Sequence, residues 1–239
     1  MGHSSDRLAA RFGVSRQAQD EYAMASHHKA AKAHEEGLLR DEIVPAFGNT
    51  VDNGIKGDSN MEKLSSLRPA FVRPHGTHTA ANSSFLTDGA SASLIMSEDK
   101  AIADGHVPKA LLKDWIFVAQ DPKEELLLGP AYAVSRLMER HGLTAGDIDV
   151  WELHEAFAGQ VLANLAAMDS DEFSRESIGV KKKVGEVRCL LMLLPSVQPS
   201  IRTPHHHPSI HAYNTRSPPF VLVVSLHSSC AGDGAPRTD

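Results

Sequence analysis

The stretch DVWELHEAFAGQVLANLAAMDSD, Asp149–Asp171, decides the reading of the whole chain. Val150, Trp151 and Leu153 give a β-rich apolar run, and with Asp147 and Ile148 it predicts a strand ending at His154. From Glu155 to Met168 the apolar period changes to that of a helix, with Phe157, Val161, Leu162 and Leu165 on one face. His154 and Glu155 therefore sit where a buried strand turns into a buried helix. That is a costly place for polar groups unless they are hydrogen-bonded or have a task. From the residues alone, His154 is either a satisfied core histidine or a working polar group.

The same alternation continues upstream. GPAYAVSRLMERHG, residues 129–142, predicts an amphipathic helix with Pro130 in its first turn and Gly142 at its end. Val134, Leu137, Met138 and His141 form its expected apolar face. PKALLKDWIFVAQD, residues 108–121, and ASASLIMS, residues 90–97, predict strands, the second of them buried. Ser97 is placed to cap a helix that stops at Gly105. EIVPAFGN, residues 42–49, predicts a further short strand. Near the start, Ser4 or Ser5 is placed to cap a short helix ended by Gly13, and Ser15 to cap a long one closed by Gly37. His27 and His28 lie late on that long helix among lysines, on an expected solvated face. Strands alternating with helices imply an α/β fold.

Composition narrows the function classes. Hydrophobic residues make up 41% and charged residues 23% of 239, an ordinary soluble balance. A net charge of −6 argues against a nucleic-acid partner, which would select a basic surface. No apolar run approaches the roughly 18 residues of a transmembrane segment. Two cysteines, Cys189 and Cys230, do not make a disulfide framework. HEAFA, from His154, lacks the second histidine of a zinc-protease helix, as does HEEGL from His34. GASAS at Gly89 lacks the last glycine of a nucleophile elbow. His205, His206 and His207 are adjacent and cannot converge on one ion, so no metal site is expected. GTHTAANSS, residues 76–84, is either an ordinary Thr/Ser-rich turn or a loop of small residues that a thin ligand approaches closely. After about Val184 the helix period is lost, and Pro, Ser and His dominate.

MGHSSDRLAARFGVSRQAQDEYAMASHHKAAKAHEEGLLRDEIVP resembles a segment of the thiolase family, with anchors at Ser15-Arg16, Gln19-Asp20, Ala23, Ser26-His27 and Lys29-Ala30. GTHTAANSSFLTDGASA resembles that family's coenzyme A loop, and LLLGPAYA its Gly-Pro helix start. HEAF occupies the place where many thiolases carry Asn-Glu-Ala-Phe; histidine there resembles the long-chain 3-ketoacyl-CoA branch of fatty-acid oxidation. The resemblance runs from Met1 to about Val184. It implies a thiolase-like layered α/β sandwich, incomplete, with an irregular C-terminal tail. Residues 1–105 would belong to the family's N-terminal domain, 106–184 to its C-terminal domain, and 185–239 to an unrelated tail.

By the same resemblance, the family reaction cleaves 3-ketoacyl-CoA with coenzyme A through an acyl-cysteine. Coenzyme A is then a substrate, and no cofactor is implied. His154 would hold a catalytic water or donate towards the thioester oxygen. Ala80 and Ser84 would line the pantetheine arm. Met1, Phe71, Leu126, Ala156 and Phe157 would line the rest of the tunnel, with Glu155 supporting the turn. The expected partners are acyl-CoA, coenzyme A, a second thiolase subunit and a hydratase/dehydrogenase α subunit. The expected location is mitochondrial, or cytoplasmic where no transit signal acts.

The family's nucleophilic cysteine precedes the matched segment, so these residues alone are expected to be inactive in thiolysis. The alternative is a non-catalytic chain that binds thiolase or hydratase/dehydrogenase subunits. Cys230-Ala231-Gly232 mimics the family's second cysteine turn, and His207-Pro208 its histidine turn, without their usual surroundings.

Overall fold

The computed structural model describes residues 1–41, 43–87 and 90–185, and the backbone of 221–224. Among the described residues six α-helices carry the architecture: α1 Gly2–Arg11, α2 Arg16–Glu35, α3 Met61–Ser65, α4 Glu98–Ala103, α5 Gly129–His141 and α6 Ala158–Asp169. Two strands, β1 Val150–Leu153 and β2 Val221–Val224, pair in parallel, with Trp151 opposite Leu222. The core lies between α1, α5, α6 and β1, around Leu8, Leu128, Val134, Trp151, Val161 and Met168.

Local chemistry explains the helix ends. Ser15 Oγ accepts from the Ala18 amide at 3.1 Å and starts α2, while Gly37, at φ +71°, lets the chain leave it. Ser97 Oγ caps α4 by accepting from Lys100 N at 3.3 Å. Gly142 ends α5 in the left-handed region at φ +64°. The buried side of α6 is turned from the expected face. Val161, Ala163, Asn164, Ala167 and Met168 are wholly buried, and Leu162 and Leu165 only partly. Asn164 explains that rotation. Its Oδ1 accepts from Ala131 N at 2.9 Å, and its Nδ2 donates to the carbonyls of Leu127 and Gln160 at 2.9 and 2.8 Å. It satisfies backbone groups at the start of α5 that would otherwise be orphaned in the core.

Several expectations are corrected. α1 starts at Gly2, so neither Ser4 nor Ser5 caps it; Ser5 is wholly buried inside the helix. The segment 90–97 forms no strand and is not buried: Leu94 is 78% and Ile95 74% exposed. Residues 108–121 form no strand either, with Phe117 at 91% exposure. A strand needs a hydrogen-bonding neighbour, and the described residues supply none to these two segments. Residues 43–49 reach only an isolated bridge between Ala46 and Asn49. In the expected tail beyond residue 185, the described backbone is that of β2, which pairs with β1. The expectations for Cys189, His205–His207, Pro208 and Cys230 lie outside the described residues. Among those residues no helix is long and apolar enough to cross a membrane.

Candidate functional site

The two motifs singled out in the sequence meet. The backbone of 82–84 runs beside the turn at 156–158: Ser84 N donates to Ala156 O at 2.9 Å, and Ala158 N to Asn82 O at 3.0 Å. Ser83 and Phe157 form an antiparallel bridge. Ala158 opens α6, so its amide has no partner within the helix, and the loop's carbonyl satisfies it. The turn thus depends on the loop for its own hydrogen bonding.

Beneath the loop lies a dense polar network. Asp6 Oδ1 accepts from Thr77 N at 2.7 Å, Thr77 Oγ1 at 3.2 Å, His78 N at 3.1 Å and His78 Nδ1 at 2.8 Å. The other ring nitrogen, His78 Nε2, is 2.7 Å from Ser5 Oγ. Asn82 Oδ1 accepts from Thr79 N at 2.8 Å, and its Nδ2 donates to Asp20 Oδ1 at 2.9 Å. Arg16 Nε in turn donates to Asp20 Oδ2 at 2.7 Å. The loop's shape is therefore set from below by α1 and α2. The sequence reading missed Ser5, Asp6 and His78. Their only signal was a histidine inside a run of small polar residues.

The proposed tunnel residues fall into three placements. Phe71, 38% exposed, packs edge-on against buried Phe157 with ring centroids 5.8 Å apart. Met1 is exposed beside it; a Cβ on the next residue, Gly2, would lie 2.3 Å from the Phe71 ring. Ala80 and Ser84 are exposed on the loop, and Ala156 is buried at the turn. Leu126 is half-buried against the core, in the segment where Glu124 and Glu125 pair with Arg7 and Arg11 of α1. Met1, Phe71, Ser84, Ala156 and Phe157 are thus brought together, while Ala80 and Leu126 lie at the loop and on the far segment.

His154 departs from expectation. It is exposed at the end of β1, not enclosed. Its neighbour Glu155 is anchored instead: Tyr22 Oη donates to Oε1 at 2.5 Å and Ser26 Oγ to Oε2 at 2.8 Å. The strand end is fixed through Glu155, and His154 beside it is open to solvent. Of the expected solvated pair on α2, His28 is exposed, whereas His27 is half-buried and accepts from Lys56 N at 3.3 Å. Burial lowers the His27 pKa below its ordinary value, against the Glu155 charge that raises it.

Close packing ties the network to α6. A Cβ on Gly159 would lie 2.6 Å from both Cε1 and Nε2 of His78 and 3.0 Å from the Gln19 amide carbon. The ring cannot swing away, because both nitrogens are hydrogen-bonded. Gly159→Ala is expected to destabilise by about 1–3 kcal/mol, the usual cost of overpacking, despite alanine's better helix propensity. Urea denaturation checks this; a neutral result would show that His78 is free to move.

With this geometry in place, comparison with known proteins is informative. Residues 1–99 match the thiolase N-terminal domain and residues 106–185 the thiolase C-terminal domain. The chain belongs to the thiolase family. It is 59% identical over 189 residues to the mitochondrial trifunctional enzyme subunit beta of Bos taurus, covering 77% of this chain and 40% of that one. It is 58% identical over 194 residues to a probable 3-ketoacyl-CoA thiolase of Caenorhabditis elegans, covering 78% and 43%. Among solved structures, human mitochondrial 3-ketoacyl-CoA thiolase in complex with CoA superposes with a TM-score of 0.66 at 30% identity, over 77% of this chain and 48% of that one. The dimeric peroxisomal thiolase of Saccharomyces cerevisiae gives 0.64 at 34% identity, over 79% and 47%. The fold is therefore thiolase-like α/β, and this thiolase chain spans about two fifths of the length of the curated relatives it matches.

Proposed function

We propose that the chain contributes the coenzyme A side of a 3-ketoacyl-CoA thiolase, an acyl-CoA acyltransferase of fatty-acid β-oxidation. The observation that carries this reading is the pairing of the 82–84 loop with the turn after β1. We read the small residues, the aromatic pair and the exposed imidazole at this junction as the lining of one crevice. A pantetheine arm is long, thin and rich in amides, and such a crevice suits it. His154 donates to, or holds a water against, a thioester oxygen as charge develops there; a preorganised donor is worth most in such a position. Phe71 and Phe157 flank the acyl chain. The acyl-carrying nucleophile is a cysteine that none of the described residues provides. The reading extends to a mitochondrial setting, a second thiolase subunit and a hydratase/dehydrogenase partner.

A second reading has its own support. Leu94, Ile95, Leu111, Leu112, Trp115 and Phe117 are all more than half exposed. So much apolar surface on two unpaired extended segments favours association with another polypeptide over action alone.

Calorimetry of the full chain with coenzyme A tests the first reading. Binding is expected, and Ser84→Pro, which removes the amide that donates to Ala156 O, should weaken it about tenfold, the equivalent of one good hydrogen bond. No heat of binding from the folded wild-type chain would overturn the coenzyme A assignment. It would leave association with a partner subunit as the surviving function.

A further inference from the structure

We infer that Ser5, Asp6 and His78 form a buried positioning unit that seats the loop at 77–84 against the turn at 154–158, and that the seat holds only while His78 is neutral. This stands on the hydrogen bonding around the loop, whether or not the crevice takes coenzyme A.

The arrangement is that of an acid, an imidazole and a hydroxyl in line. It is not a nucleophilic triad. Ser5 and His78 are both wholly buried, so no acyl substrate reaches Ser5 Oγ. Its consequence is mechanical. Asp6 Oδ1 gathers the Thr77 and His78 amides together with His78 Nδ1–H, so one carboxylate oxygen fixes the loop backbone and the ring at once. That fixes the tautomer: with Nδ1 donating, Nε2 is the lone-pair nitrogen and accepts from the Ser5 hydroxyl. On its faces the ring is closed by Phe157, edge-on at 5.4 Å, and by Gly159. The loop, the first turn of α6 and Phe157 are therefore all registered on one imidazole.

α1 brings Asp6 and the neutral Ser5; α2 brings neutral Gln19, with Asp20 and its partner Arg16 one step away through Asn82; the turn into α6 brings Phe157 and Gly159, both uncharged. Burial lowers the His78 pKa below its ordinary 6.5, outweighing the Asp6 hydrogen bond and charge that raise it. Protonation would force Nε2 to donate. The Ser5 hydroxyl proton would then need a new acceptor inside α1. The sign follows: a group whose folded pKa is depressed contributes its full stability above the unfolded value and loses it as pH falls through the folded value. The loop should loosen on the acid side of about pH 6.5.

Histidine C2–H exchange read by mass spectrometry on the full chain gives the midpoint of His78. That midpoint is expected to lie below the ordinary 6.5 of a histidine. Backbone amide exchange of 77–84, corrected for intrinsic rate, is expected to rise as the pH falls from about 7.5 to about 5.5, by no more than about tenfold per pH unit, the limit for one linked proton. In His78→Gln, whose amide can donate to Asp6 and accept from Ser5 but does not titrate, the corrected rate should be flat. A His78 midpoint at or above 6.5, a pH-independent loop in wild type, or the same slope in His78→Gln overturns the inference. If His78→Gln does not fold, the wild-type midpoint and loop slope decide it. Coenzyme A is absent from all of these measurements, so its failure to bind would leave them untouched.

Discussion

Asp6→Ala is expected to destabilise the fold by about 3–5 kcal/mol, because it strands several buried donors at about 1–3 kcal/mol each. The size follows from how many donors converge on a single oxygen. Without the carboxylate, the amides of Thr77 and His78 and the Nδ1–H of His78 face an interior that offers them no acceptor. Each unsatisfied donor costs about 1–3 kcal/mol, so the loop will rearrange rather than leave all of them buried. Asp6→Asn separates charge from hydrogen bonding. An asparagine keeps one acceptor oxygen for the same donors. Its amide nitrogen must then occupy the place of Oδ2, which has no hydrogen-bond partner among the described residues and sits 2.7 Å from where a Gly76 Cβ would lie. Asn should therefore cost less than Ala, about 1–3 kcal/mol.

Urea denaturation of both variants beside wild type measures the difference. A loss below about 1 kcal/mol for Ala would mean that water satisfies the loop amides. The pH dependence has a matching sign. Burial pushes the Asp6 carboxyl up, but hydrogen bonds from His78 and Thr77 outweigh it and hold the group below its ordinary value. Its contribution is therefore present above about pH 3.8 and lost as pH falls through the folded value. Wild type should lose stability in acid, and Asp6→Ala should lose less of it there.

How much of this could be read from the chain depends on the range of each signal. The start of α2 at Ser15, the cap of α4 at Ser97 and the end of α5 at Gly142 are local, and each sits where its residue type predicts. The meeting of GTHTAANSS with HEAF came from the family resemblance; nothing in either motif alone announces it. Leu94, Ile95 and Phe117 show the opposite limit. Alternation reports that a segment has an apolar face, but a strand exists only with a neighbour, and composition does not say where that neighbour comes from. Ser5 failed for a related reason. Serine near a helix start reads as a cap, yet this one is turned inward to a histidine 73 residues away. His154 was expected to be enclosed because both flanking elements are buried, but the turn carries it outward while Glu155 takes the anchoring role.

Trp151→Ala should also cost about 3–5 kcal/mol, through packing instead of polarity. Trp151 is 2% exposed on β1, whose inward side chains, Trp151 and Leu153, alternate with the exposed Glu152. Truncation removes an indole from the core cluster, and close-packed neighbours collapse only partly into such a void. Trp151→Phe keeps an aromatic ring in place and should cost less than half as much. The effect should reach the crevice as well, because β1 leads directly into His154 and Glu155. If β1 shifts, the hydrogen bonds of Glu155 to Tyr22 and Ser26 must lengthen or break.

Two tryptophans make the experiment readable. Trp115 is 65% exposed and Trp151 buried, so the blue-shifted part of the emission belongs to Trp151 and should vanish in both variants. Unfolding is best followed by circular dichroism, since the buried fluorophore is gone. A Trp151→Ala chain as stable as wild type would mean that β1 is not part of the cooperative core. The turn at 154–158 would then be held by α2 and the 82–84 loop alone. In that case Asp6→Ala, and not Trp151→Ala, would be the substitution that abolishes the crevice.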